Sequence, residues 1–423
     1  MTPPPSGEGQ NPFELLFGDL MKLLGSQGSH QWETTRAFAV QVATGGEPEG
    51  NVDPVQRIQV EELARVAELH VSEATGMPIS PDGRRLSCVP VGRADWALRA
   101  LDAWQPVLTA MTPAATTPGT MPGTSALEPS GESGDAFVNL LGQWAGMMGP
   151  MFFGLQVGSV VGHLSQRALG QYVLPVPWPV NDELLVVPAN IASFASDWSL
   201  PEEEALVWVC ARELASHSVL ARPSVRAHLD RLLEAFAASA STAQQGLMDR
   251  LSSMGDELDL PGVGGEPMDI AALQGMLGNP EELLGSLLTP DVRRTSDQLT
   301  AIAIVVDAYA DHVADLVGRH LVGAHAALAE AWYRRRIERG KGEEAAGALF
   351  GLDLDQVQVD RGRAFVAGVI ERAGEEQLGR LWTSEHTLPT PAEVDAPGLW
   401  LERIDLPELD PPPPAAGGGA PEA

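Results

Sequence analysis

Apolar positions recur at helical spacing along most of the chain, and runs that read as strand are few. Residues 54–74 place Val55, Ile58, Leu63, Val66 and Leu69 at mixed three- and four-residue intervals after an Asn51–Pro54 turn, which predicts an amphipathic helix. Asp182–Pro188 (DELLVVP) is the best strand candidate, a short apolar run ending at proline. After it comes a helix-start signal. Ser199 reads as N-cap, Pro201 lies in the first turn, and Glu202 stands three residues beyond the cap with two more acids after it. That helix is expected from about Leu200 to Leu220, stopping near Pro223. A second long helix is predicted over Ser296–Arg339, with Ile302, Val305, Tyr309, Val313 and Leu316 on one face.

Residues 135–169 are unusual. No Asp, Glu, Lys or Arg occurs from Ala136 to Gln166, and Gly154, Gly158 and Gly162 recur every fourth residue, opening one helix face to a neighbouring backbone. Asn139, Gln143, Gln156, His163 and Pro150 interrupt the stretch, so a buried helix pair is expected rather than a membrane span. Residues 252–295 suggest short helices joined by loops. The fold expected is predominantly α, a helical body with one small β element. Its divisions are a disordered N-terminus (1–10), a helical block (11–111), a disordered linker (112–134), the main body (135–409) and a disordered Pro/Gly tail (410–423).

Composition narrows the function. With 57 acids against 27 bases among 423 residues, the formal charge is −30, which repels phosphate backbones and argues against a nucleic-acid partner. Lys22 and Lys341 are the only lysines, so the cationic side is almost all arginine. The two cysteines, Cys88 and Cys210, are far apart in sequence, which suggests neither a disulfide framework nor a cysteine zinc site. A reduced, cytoplasmic setting fits, and the N-terminal residues carry no secretory pattern.

The chemistry centres on Trp208–Leu220, WVCARELASHSVL. A zincin helix needs His-Glu-x-x-His, two histidines one turn apart as zinc ligands and a glutamate as general base. Here that register reads Arg212-Glu213-Leu214-Ala215-Ser216, followed by His217.

Several segments together carry a resemblance: NPFELLFGDLMKLL, NVDPVQRIQVEELARVAELHV, GHLSQRALGQYVLPVPWP, DELLVVPANIASFASDWSLP, AYADHVADLVGRHL and RLWTSEHTLPTPAEVDAPGLWLERI. Over nearly all of residues 11–409 the chain resembles an actinobacterial family of zincin-like metallopeptidases, zinc-dependent hydrolases associated with deazaflavin-coenzyme biosynthesis. The family helix continues W-V-x-x-H-E-L-T-H-H-A-V-L. The resemblance therefore puts Arg212 and Ser216 at the two zinc-histidine positions, retains Glu213 at the general-base position and keeps His217. It also implies that an E-G-x-x-D-H pattern, source of a third metal ligand, falls on Asp307 and Asp311, with His312 next.

Arginine cannot ligate zinc, and serine is a poor neutral ligand. A guanidinium at Arg212 can instead place positive charge where the metal would sit and bond to the surrounding acids. The expectation is a non-catalytic, zinc-free binding relative with an unidentified peptide or protein partner. One alternative is a metal-dependent hydrolase with a rearranged site built from His217, Glu213 and Asp307 or Asp311. Another is a membrane- or partner-docking protein acting through residues 136–166. Taken singly, these residues have plainer readings: Arg212 and Glu213 on a helix surface, His217 in the core or at its boundary, Asp307 and Asp311 on a solvated face. The run Trp332–Arg336 (WYRRR) could bind an anion, but reads first as a solvated helix end balancing nearby acids. His163, His312, His320 and His325 lack partners at tight metal-ligand spacing; His320 and His325 are expected on one long helix.

Overall fold

The computed structural model describes residues 27–112, 151–257 and 289–406. Among these, helix dominates, and two four-residue strands form one parallel pair. The expected tail and linker segments 1–10, 113–134 and 410–423, and much of 252–295, lie outside the described residues.

Helices α1 (Gln27–Thr44) and α2 (Pro54–Thr75) precede β1 (Ser87–Pro90) and α3 (Arg93–Met111). Helix α4 covers residues 151–167. Then follow β2 (Glu183–Val186), α5 (Pro188–Asp197), α6 (Glu202–Leu220) and α7 (Pro223–Glu257). Next come α8 (Pro290–Leu321), α9 (His325–Ile337), α10 (Lys341–Leu349) and α11 (Gln356–Ala373). Short helical turns complete the chain to Asp405.

Of the glycine-rich stretch, residues 151–167 form one helix, α4, packed against α1, and residues 135–150, the other half of the expected pair, lie outside the described residues. A Cβ on Gly158 would lie 2.7 Å from Thr35 O, and one on Gly162 2.8 Å from Ala39 O, so only glycine lets α4 approach α1 this closely. Among the described residues no helix is long and apolar enough to cross a membrane. The α2 helix forms where predicted, with Asp53 accepting from the Val55 amide at 2.8 Å and Gly76 closing it in the left-handed conformation. Its buried face is not the large apolar set. Val60, Ala64, Ala67 and Val71 are buried, while Val55, Ile58, Val66 and Leu69 are exposed. The side that α2 buries is set by its packing on α6.

Two helix boundaries differ from expectation. Ser199 is not the N-cap of α6. It takes φ 53° in the turn that ends α5, and extended Pro201 precedes the helix without a side-chain cap bond. The acids Glu202, Glu203 and Glu204 still occupy the first turn, where they complement the helix dipole. The long helix predicted to Arg339 is two helices. Val322 is extended, Gly323 follows, and the Ala324 amide donates to Glu204 Oε2 at 2.8 Å. His320 and His325 therefore sit on different helices, and α9 returns over α8 and α6.

Helix α6 runs through the core, buried from Ala205 to Leu220. Strands β1 and β2 pair in register Cys88↔Leu184. Both cysteines are buried and unbridged, and a Cys88 hydrogen bond together with burial pushes the Cys210 thiol up.

Candidate functional site

Helix α8 lies along α6, with α9 crossing both. Trp208 on α6 packs at a tilt against Trp332 on α9, ring centroids 5.4 Å apart and planes inclined by 55°, while Gly318 on α8 leaves room for the Trp208 ring. This packing brings Arg212, Glu213, Asp307, Asp311 and Arg336 together.

Four of them close a ring. Arg212 donates from Nη2 to Asp307 Oδ1 at 2.7 Å and from Nε to Asp311 Oδ1 at 2.9 Å. Arg336 donates from Nη2 to Asp307 Oδ2 at 2.7 Å and from Nη1 to Asp311 Oδ2 at 2.9 Å. Each arginine bridges both aspartates, and each aspartate is bound by both arginines. All four carboxylate oxygens are engaged, and the ring carries no net charge. Asp311 Oδ1 also accepts from Trp332 Nε1 at 2.9 Å, and the Arg212 guanidinium lies 4.6 Å from the Trp332 ring centroid. Burial alone would raise Asp311, but Arg336 and Arg212 outweigh it and hold its carboxyl below the usual range. Burial would lower Arg212, yet Asp311, Asp307 and Glu213 hold it above its ordinary value.

The plain surface readings are thereby corrected. Arg212, Glu213 and Asp307 are buried, not solvated, because three helices converge on them. WYRRR is not a solvated helix end either: Arg336 completes the ring, Trp332 caps it and Arg335 lines the cleft beside it.

Glu213 stands beside the ring. Its Oε2 accepts from the Tyr172 amide at 2.7 Å, and Arg212 Nη1 lies 3.6 Å from Oε1. A Cβ on Gly170 would fall 2.4 Å from Glu213 Cδ, so this glycine gives the carboxyl its place. Burial pushes Glu213 up to about 7, against Arg212 and the Tyr172 amide. His217, one turn along, points its Nδ1 at the Tyr172 hydroxyl, 3.0 Å away, and burial takes it down to about 4. Ser216 is buried one turn from Arg212. His312 is outside the ring, pairing with Glu375.

Glu213 has a consequence for pH. Its raised folded value means the charged form is disfavoured in the fold, so stability is lost as pH rises from 4.5 through about 7. His217 acts oppositely, losing stability as pH falls from 6.5 toward about 4. Glu213→Gln removes only the first effect. In urea unfolding the variant is expected to gain up to about 3 kcal/mol over the parent at pH 8, a gain that largely vanishes by pH 5. An equal difference at both values would mean that Glu213 titrates normally.

The donor set does not fit a zinc ion. At the two positions where the resemblance expects histidines stand a guanidinium, which has no lone pair to give, and a neutral hydroxyl. The two aspartates spend their oxygens on arginines. Among the described residues no group of three His, Cys, Asp or Glu side chains is placed to hold a metal.

Sequence reasoning found Arg212, Glu213, Ser216, His217, Asp307 and Asp311, and the structure joins Arg212 to Glu213, Asp307 and Asp311. It missed the roles of Arg336, Trp332, Tyr172 and Gly170. WYRRR was the available signal for the first two, and GQY for the others.

A family model described as zincin-like metallopeptidase matches residues 31–401. A crystal structure described as a “putative hydrolase with a novel fold” from Chloroflexus aurantiacus aligns with TM-score 0.59 and 21% identity. The alignment covers 89% of this chain and 99% of that one, and shows a shared fold. Comparison with curated proteins gives no significant match.

Proposed function

The chain belongs to the zincin-like metallopeptidase family, and from that premise we propose that it is a metal-free member that binds a ligand rather than hydrolysing one. The Arg212 guanidinium takes the place of the metal. One observation carries this reading: Arg212 and Arg336 together saturate Asp307 and Asp311. A positive charge held by two acids does the structural work of a cation between helices, but offers no open coordination position and no activated water. Glu213 keeps the place of the general base and, at about 7, a proton affinity suited to that task. Without a metal-bound water beside it, that affinity has no proton to act on. The reading extends to a soluble cytoplasmic protein with a peptide or protein partner.

Elemental analysis of protein purified without a histidine tag tests this. Zinc is expected well below one atom per chain. Stoichiometric zinc that disappears in a Glu213→Ala, His217→Ala variant would overturn the reading in favour of a rearranged hydrolase site.

A further inference from the structure

Beside the ring lies a small cavity of about 50 Å³ whose wall is unusually cationic for so acidic a chain. Five arginines reach it: Arg167, Arg212, Arg335, Arg336 and Arg339. Three acids face them, Glu213, Asp307 and Glu343.

Their pairings separate these cations. Arg212 and Arg336 are satisfied within the ring. Arg167 lies 3.1 Å from Glu343 and donates to the backbone carbonyls of Arg335 and Glu338. Arg335 and Arg339 differ from the rest. Arg335 donates to the Arg167 carbonyl and lies over the Phe194 ring, but no carboxylate is within ion-pair distance among the described residues. Arg339 makes no hydrogen bond or ion pair among the described residues, yet is half-buried.

A partly buried guanidinium with no counter-ion is costly, and it is uncommon where acids outnumber bases two to one. Burial, with the like charge of Arg167, brings Arg335 down to about 10; burial and Arg336 lower Arg339. The cavity thus has two fixed forks, unspent donors and a positive surplus.

We infer that this cavity binds the oxyanion head of a small ligand, a carboxylate or phosphate group, with Arg335 and Arg339 as its principal donors. The volume admits the head group alone, so the rest of the ligand extends outward. Guanidinium forks suit both groups, because each offers two coplanar or near-coplanar oxygens to a bidentate donor. The inference deepens the reading of a binding protein by naming the chemistry of its ligand.

Titration calorimetry on the full chain, at ionic strength matched with sodium chloride, tests it with three probes: inorganic phosphate, acetyl-dialanine with a free carboxylate, and acetyl-dialanine amide. Phosphate or the free acid is expected to bind with a dissociation constant on the order of 0.1–1 mM, and the amide at least about tenfold more weakly. Whichever acid binds more tightly identifies the source of the head group. Arg339→Gln, which breaks no internal bond, is expected to weaken binding about tenfold, and Arg294→Gln on the exposed surface to leave it unchanged.

No binding of either acid at about 10 mM, or equal binding by the parent and Arg339→Gln, overturns the inference. Arg335→Gln is expected to weaken binding likewise, but it also loses the bond to the Arg167 carbonyl, so Arg339→Gln decides. The two proposals fail separately. Bound zinc would sink the metal-free reading, whereas an anion-blind but zinc-free protein would sink only this one.

Discussion

Replacing Arg212 and Ser216 together by histidine is expected to turn the chain into one that holds about one zinc per molecule. Both positions lie on the buried face of α6, one turn apart, which is the spacing a zincin helix uses. Glu213 already stands between them, fixed by the Tyr172 amide. Losing Arg212 also removes a cation that would repel the metal and frees Asp307 Oδ1, while Asp311 Oδ1 keeps only its bond from Trp332 Nε1. Arg336 still holds both acids, so adding Arg336→Gln should tighten zinc binding further. Metal content of the dialysed, untagged variants gives the answer. A double variant that stays folded and takes up no zinc would mean that the cavity has been reshaped beyond its ligands.

Arg212→Ala is expected to be the most destabilising single change at the site. It opens the ring and leaves Asp307 and Asp311, both well sheltered, to share one guanidinium. Breaking a buried ion pair by removing one partner costs about 3–5 kcal/mol. Because Arg336 remains, about 3 kcal/mol is expected here. Arg212→Lys should recover only part of this, since a single ammonium cannot reproduce the two-armed fork that spans both acids. The control is Arg319→Ala, which removes an exposed partner from Asp315 and should cost under about 1 kcal/mol. Urea is the appropriate denaturant because guanidinium salts would screen these charges. Equal losses for Arg212→Ala and Arg319→Ala would show that the ring contributes nothing specific.

The difference between those two arginines could not be read from their neighbours in sequence. Each sits on a helix with acids at hand, and plain pattern reading makes both surface residues. Their difference comes from the return of α9, which depends on a break at Val322–Ala324. The local signals there are weak: one glycine, Gly323, and no proline. The break is fixed by Glu204, which caps the Ala324 amide from 120 residues away. A continuous helix would have carried Trp332 about 32 Å and Arg336 about 38 Å beyond Asp311, at 1.5 Å per residue. The same limit explains α2. Periodicity located the helix but not its buried side, because that side is chosen by packing on α6, a helix distant in sequence.

Other features were local and therefore legible. Acids in the first turn of α6, the proline after β2 and the glycines every fourth residue in α4 each act through contacts within a turn or through the room they leave. These place the helical body, the small strand pair and the Arg212–His217 register. By itself the sequence determined that this chain is a mostly helical member of a zincin-like family, with Arg212 and Ser216 where the resemblance expects histidines. Only the tertiary structure decided what surrounds Arg212. Two aspartates four residues apart on one helix attract whichever cation the fold delivers, and burial of that cation depends on helices distant in sequence.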